Sequence, residues 1–135
     1  MDKIDEQILA ILKKNSRESY INIANQLKIS EGTVRNRIKN LVENGIIKKF
    51  TIKTTTKNIK AIISIKIEVN INTSEISSKI SDWEGVETVY EVSGENDISV
   101  IIDVPTISEL NEIIEKIRQI ERVKSTRSVL ILKEY

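Results

Sequence analysis

The residues best equipped for chemistry fall in one short stretch, from Lys28 to Lys39, which reads KISEGTVRNRIK. Placed on a helical wheel with Val34, Ile38 and Leu41 facing inward, it turns Gly32, Thr33, Asn36, Lys39 and Asn40 outward. Arg35 and Arg37 lie on the flanks, and Glu31 is the one carboxylate of that outer face. Carboxamide and guanidinium groups at this spacing match the donors and acceptors on base edges, while lysine and arginine neutralise phosphate. The first turn of such a helix enters a groove deepest, so Gly32, Thr33 and Asn36 are the expected base-edge residues. Lys28, Arg35, Arg37, Lys39 and the Lys48-Lys49 pair are expected at the DNA backbone, with Ser30 at the helix start beside them. A flank arginine has a plainer use as well, since Arg37 can pair with a nearby acid such as Glu18 or Glu43.

Much other chemistry is out of reach. The 135 residues include no Cys and no His, which removes thiolate nucleophiles, disulfides, imidazole acid–base catalysis and the usual zinc sites. Glu87, Glu91 and Glu95 alternate along an expected strand and read as an exposed acidic edge. No cofactor is implied and no enzyme is expected. The first residues, Met1-Asp2-Lys3-Ile4-Asp5, lack a signal-peptide pattern, and no apolar run approaches the roughly 18 residues of a membrane span. The expectation is a cytoplasmic protein with no membrane partner.

The formal net charge of +1 conceals a split. Residues 1–58 carry 12 Lys+Arg against 6 Asp+Glu, whereas residues 59–135 carry 9 against 14. A basic half and an acidic half imply two modules, the first suited to a polyanion.

The elements that must position the basic stretch are helical. Asp2 can cap a first helix with the apolar stripe Ile4, Ile8, Ile11 and Leu12. A short second helix carries Ile23, Ala24 and Leu27. Lys28-Ile29-Ser30 interrupts the pattern, and Ser30 caps a third helix through Val34, Ile38, Leu41 and Val42 that stops at Asn44-Gly45. This is helix-turn-helix spacing, over residues 1–45.

After Gly45 the period changes. Ile46 to Ile52 reads as an extended arm or first strand, and residues 46–58 as a linker, with the domain boundary in the polar run Lys53 to Asn58. Residues 59–135 then alternate between strand and helix patterns. Ala61–Val69 is a half-buried strand, Asn72 and Glu75 form a capping box for a helix carrying Ile76, Ile80 and Trp83, and Val86–Val92 is a second strand. Asp97–Val104 is a third strand, Thr106 and Glu109 box a helix with Leu110, Ile113, Ile114 and Ile117, and Val123 to about Leu132 is the last strand. The fold class is therefore α+β: a helix-turn-helix domain linked to a βαββαβ, ferredoxin-like regulatory domain. Isoleucine on both sides of the strands leaves one sheet face to be covered by a second copy.

Three functions fit this organisation. The leading one is a sequence-specific regulator of transcription on double-stranded promoter or operator DNA. The alternatives are a small-molecule sensor or oligomerisation protein whose helical domain binds protein rather than DNA, and a small enzyme on a ferredoxin-like scaffold.

Several motifs, taken in order, resemble one family. Asp2-x-x-Asp5-x-x-Ile8-Leu9, Asn15-Ser16-Arg17, Ile23-Ala24-x-x-Leu27 and Ser30-x-x-x-Val34-x-x-Arg37-Ile38-x-x-Leu41-x-x-x-Gly45-Ile46-Ile47 are similar to the Lrp/AsnC, or feast/famine, transcription regulators. Val92-Ser93-Gly94-x-x-Asp97 and Val123-x-x-Thr126-x-Ser128 resemble that family's glycine-acid loop and final-strand signature. The resemblance implies homodimers formed through the sheets with a swapped linker, assembling into an octamer. It also implies an amino acid or related small-molecule effector bound between dimers. On that resemblance Ser93, Gly94 and Asp97 line the effector pocket, Asp97 suiting an ammonium group, and Thr126 and Ser128 supply hydroxyls. Gly94 and Asp97 have a simpler reading, as a hairpin turn and a carboxylate bonded to its own loop amides. Asn96 stands where members often carry an aromatic residue, and Glu121-Arg122 where Pro-Gly is frequent.

Overall fold

The computed structural model describes residues 1–55 and 57–135 and divides the chain into two compact units, Met1–Thr55 and Thr56–Tyr135. Thr56, within the linker expected over 46–58, lies outside the described residues.

The first unit is three helices: α1 (Lys3–Lys14), α2 (Tyr20–Leu27) and α3 (Glu31–Glu43). Each begins at a polar cap. Asp2 accepts from the Asp5 N–H while Asp5 reaches back to the Asp2 N–H, a reciprocal box built from two aspartates. Ser19 and Ser30 accept from the N–H groups of Asn22 and Thr33. α2 ends with Lys28 in the left-handed region, φ 57°, which turns the chain sharply toward α3. α3 ends in a Schellman motif, with the Ile46 N–H bonded to the Leu41 carbonyl at 2.9 Å and the Gly45 N–H to the Val42 carbonyl at 3.0 Å. Ile8, Leu12, Ile23, Ala24, Val34, Ile38 and Leu41 close the core, one stripe from each helix. Val42, expected in that stripe, is exposed, because the interior is already filled by Ile38 and Leu41.

No strand forms over 46–55, so the arm expected from Ile46 to Ile52 is irregular within the described chain. An isolated extended segment has no neighbour to complete its ladder.

The second unit is a four-stranded antiparallel sheet with two helices: β1 (Ile59–Ile67), α4 (Thr73–Ser81), β2 (Val86–Glu91), β3 (Ile98–Val104), α5 (Ile107–Arg118) and β4 (Val123–Leu130). The strand order β2-β3-β1-β4 is that of the ferredoxin-like arrangement. Ala61, Ile63, Ile65 and Ile67 of β1 and Ile98, Val100, Ile102 and Val104 of β3 point to the helix side. There they bury against Ile76 and Ile80 of α4 and Leu110, Ile113 and Ile117 of α5. Burying side chains of this size contributes about 1.5–3 kcal/mol each. On the opposite face the register sets Ile62 beside Ile101 and Val129, flanked by a row containing Tyr90, Ser99, Ser64 and Arg127.

β1 sits two residues earlier than the alternation predicts. Its partners run out at Ile98 and Val123, so Val69 has nothing to pair with and is 85% exposed. The box expected at Asn72 is an Asx-turn instead, Asn72 Oδ1 accepting from the Ser74 N–H two residues on at 3.1 Å. At α5 the Thr106 hydroxyl caps the Glu109 N–H and donates to the Glu109 carboxylate, so that box closes between side chains.

Gly85, between α4 and β2, is where backbone and packing both demand glycine. Its φ is +86°, and a Cβ there would stand 2.6 Å from Val104 Cγ1 and 3.0 Å from Ile113 Cδ1. Both neighbours belong to the core and cannot swing away. Gly85→Ala is expected to destabilise the second unit by about 3 kcal/mol, through strain and overpacking together. Urea unfolding of the full chain, followed at Trp83, reads this loss directly.

Candidate nucleic-acid interface and effector loop

α3 presents two unlike sides. Val34, Ile38 and Leu41 hold it to α1 and α2, while Glu31, Gly32, Arg35, Asn36, Lys39 and Asn40 are exposed and Thr33 is half-buried at the margin. A cleft of about 490 Å³ runs along this helix, lined by Thr33, Asn36, Asn40 and Asn44 with Asp5 and Arg37 at its side. The residues expected to meet base edges therefore share one accessible surface.

The cations are placed differently. Arg35 Nη2 is 2.7 Å from Glu31 Oε1, one turn earlier, and its guanidinium lies 5.2 Å from the centre of the Tyr20 ring. Lys39 Nζ is 3.8 Å from Glu43 Oε1. Lys28 is exposed in the turn, and the Ser30 hydroxyl, 2.7 Å from Thr33 Oγ1, serves the cap.

Arg37, at the side of the same cleft, is committed to the acids of α1. Its guanidinium meets Asp2 at 2.6 Å and Asp5 at 3.2 Å, not Glu18 or Glu43, and so fastens α3 to the start of α1. The physical reason is that two carboxylates clustered at a helix N-terminus converge on one cation packed against them. Hydrogen bonding to Arg37 holds the Asp2 carboxyl below its ordinary 3.8, and the same contact raises the Arg37 pKa. Neither Asp2 nor Asp5 carries a signal for this in the sequence beyond its capping position, since the contact bridges 35 residues.

In the second unit the β2–β3 loop holds Ser93 and Gly94, both exposed, with Gly94 at φ +111° and open space where a Cβ would stand. Asp97 spends one carboxylate oxygen on the Ile67 N–H at 2.8 Å, while its own N–H bonds the Ile65 carbonyl and its carbonyl the Val92 N–H. It thereby joins the loop to the end of β1. Thr126 and Ser128 lie on β4, paired with Ile65 and Ile63, so β1 separates them from Asp97. Two strand spacings are about 9–10 Å, and the five residues do not converge on one point of a single chain. Arg118 Nε donates to Thr126 Oγ1 at 3.4 Å, beside a shallow cleft lined by Lys124 and Ser125. No group of three or more acidic side chains able to hold a metal occurs among the described residues. None of their helices is long and apolar enough to cross a membrane.

A helix-turn-helix unit with an exposed amide and cation face, joined to a ferredoxin-like unit, is the arrangement of a DNA-binding transcriptional regulator. Residues 1–48 match the family described as winged helix-turn-helix DNA-binding, and residues 60–135 match the Lrp/AsnC ligand binding domain. The chain belongs to the Lrp/AsnC family. It is 45% identical over 134 residues to the HTH-type transcriptional regulator LysM of Sulfurisphaera tokodaii, covering 98% of this chain and 96% of that one. The crystal structure of PH0061 superposes with a TM-score of 0.88 at 30% identity, over 100% of this chain and 95% of that one. The Neisseria meningitidis regulator NMB0573, solved as an L-Met complex, shares the fold with a TM-score of 0.78 at 20% identity, over 99% and 91%.

The Asp2–Arg37 contact makes the helical unit acid-sensitive. A carboxyl held below its ordinary value adds stability above 3.8 that is lost as pH falls through the lower folded value. Asp2→Asn keeps the cap but not the charge. Its thermal midpoint should lie below that of the unchanged chain at neutral pH, and the two should converge in acid, as followed by circular dichroism.

Proposed function

We propose that the chain acts as a homodimer or higher assembly on a pseudo-palindromic operator, with two copies of α3 entering successive major grooves. A two-fold axis spaces them about 34–36 Å apart, one turn of B-DNA. The observation that carries the reading is the exposed face of α3. Gly32, Thr33 and Asn36 face the bases from its first turns, while Lys28, Arg35 and Lys39 stand at the phosphates beside Ser30. Arg37 contributes by holding α3 at its angle to α1. The family, together with the Ile62, Ile101 and Val129 row on the uncovered sheet face, supports dimerisation through the sheets, with octamers as the further assembly. DNA as the target supports a cytoplasmic place of action.

The regulatory unit takes an amino acid or related small molecule between dimers, near Ser93, Gly94 and Asp97 of one loop and Thr126 and Ser128 of a strand. The separation of these residues within one chain supports a pocket completed by a second copy. The L-Met complex of the fold's meningococcal member agrees with that ligand class. The free Asp97 carboxylate oxygen suits an ammonium group, and the open loop around Gly94 lets backbone N–H groups approach a carboxylate. The ligand acts by binding one assembly better than another, which shifts a population without chemistry.

Two measurements test this. The Arg35→Ala, Lys39→Ala double variant should weaken operator binding and flatten the slope of log affinity against log salt by about 1–2. An unchanged slope overturns the role of both cations. For the effector, calorimetry across the amino acids should find one that binds at millimolar concentration or tighter. Asp97→Asn, which keeps an acceptor for the Ile67 N–H, should lose that ligand about tenfold or more. If every amino acid fails with the unchanged chain, the ligand class is wrong.

A further inference from the structure

Every cation on α3 is already met by a carboxylate of its own unit: Arg35 by Glu31, Arg37 by Asp2 and Asp5, Lys39 by Glu43. What the exposed face leaves without a protein partner is amide. Asn36 and Asn40 are exposed, and their side chains make no hydrogen bond among the described residues. Thr33 is half-buried with its hydroxyl engaged by Ser30, so its methyl is the part of the side chain not already bonded. Gly32 adds no side chain at all, its nearest neighbour in the Cβ direction being Ser30 Oγ at 4.0 Å.

These groups do not read all base pairs alike. Guanine is recognised by two donors arriving together, most often an arginine fork on O6 and N7. Arg37 commits Nη1 to Asp2 and Asp5 of α1, which hold its guanidinium at that end of the cleft. Arg35 lies on the flank of the helix, paired with Glu31 one turn earlier, and a flank cation meets a phosphate at the groove's rim before it meets a base edge. Adenine instead presents N7 as acceptor and N6 as donor, which a carboxamide answers with its own donor and acceptor. Thymine presents a methyl group, which suits the methyl of Thr33.

We infer that α3 specifies A·T base pairs, with Asn36 and Asn40 each reading an adenine and Thr33 set against a thymine methyl. Four residues of helix span about 6 Å, a little under two base steps of 3.4 Å, so the two adenines fall within two steps of each other. At these two positions a carboxamide answers adenine with both its donor and its acceptor, whereas guanine offers it acceptors alone. This inference rests on the reading that α3 enters the major groove.

The test uses the full chain. Selection from random-sequence duplexes should return half-sites led by A·T pairs at the positions α3 covers. In the strongest such site, 7-deazaadenine, which lacks N7 but still pairs with thymine, should weaken binding of the unchanged chain about tenfold. The same base should cost Asn36→Ala or Asn40→Ala nothing further at the position that residue reads, while both variants keep their affinity for unrelated duplex. Half-sites led by G·C pairs whose preference Arg35→Ala relaxes overturn the inference but keep α3 in the groove. So does a 7-deazaadenine penalty that survives undiminished in both asparagine variants. If no duplex is retained, or if changes in α3 leave both site and affinity unaltered, the underlying reading falls as well, and the inference with it.

Discussion

A recognition surface has to be rigid at its back and uncommitted at its front, and α3 meets that constraint along a single 13-residue helix. Three residues, Val34, Ile38 and Leu41, fix it to the core. Ser30 starts it and the Gly45 Schellman turn stops it, so neither end consumes the outer face. Lys28 in its left-handed turn sets the angle from α2, and Arg37 sets the angle from α1. With both angles fixed, the front of the helix keeps side chains that owe nothing to folding. Asn36 and Asn40 are poor helix formers without packing partners, and helix propensity alone favours Ala, Leu, Lys or Glu there.

The second unit meets a different constraint, because its sheet must leave a face open. Each strand–helix–strand crossover joins parallel strands that are not neighbours. β3 therefore lies between β1 and β2, and the two helices fall on the same side. One face buries its isoleucines under α4 and α5, and the other keeps Ile62 and Ile101 half-covered. The Gly85 turn is the tightest point of this packing, and Trp83 beside it stacks under the Lys116 ammonium at 4.2 Å.

Sequence patterning was enough wherever the physics is local. Helical periodicity, serine caps and alternating isoleucines gave all five helices and four strands in the right order, since each is decided by neighbours within a few residues. What it misplaced depends on distant partners. The end of β1 moved because β3 and β4 start where they do, and Val69 has the right type for a strand but no neighbour. Arg37 was legible as a cation and as a flank residue, yet its partners Asp2 and Asp5 are set by how α1 crosses α3. Asp97 likewise gives one oxygen to the Ile67 N–H, which no spacing rule announces. The resemblance to a family named these positions without their local bonds, which decide what remains for a ligand.

The charge split has to be reread through those bonds. The excess of cations over residues 1–58 suits a polyanion, but α3 contributes less to it than its three cations suggest, because each stands beside an acid. Among the described residues, cations without an acid beside them sit off the helix, Lys28 in the turn and Lys48 and Lys49 after α3 among them. On the proposed reading these residues add long-range attraction to the phosphate contacts of Arg35 and Lys39, and both contributions fade as salt rises. Discrimination among bases, as inferred above, falls to the neutral amides of α3, whose hydrogen bonds are short-ranged and far less screened. On that reading the basic half divides its work: charge on and around α3 brings DNA close, and amides on α3 decide where it stays.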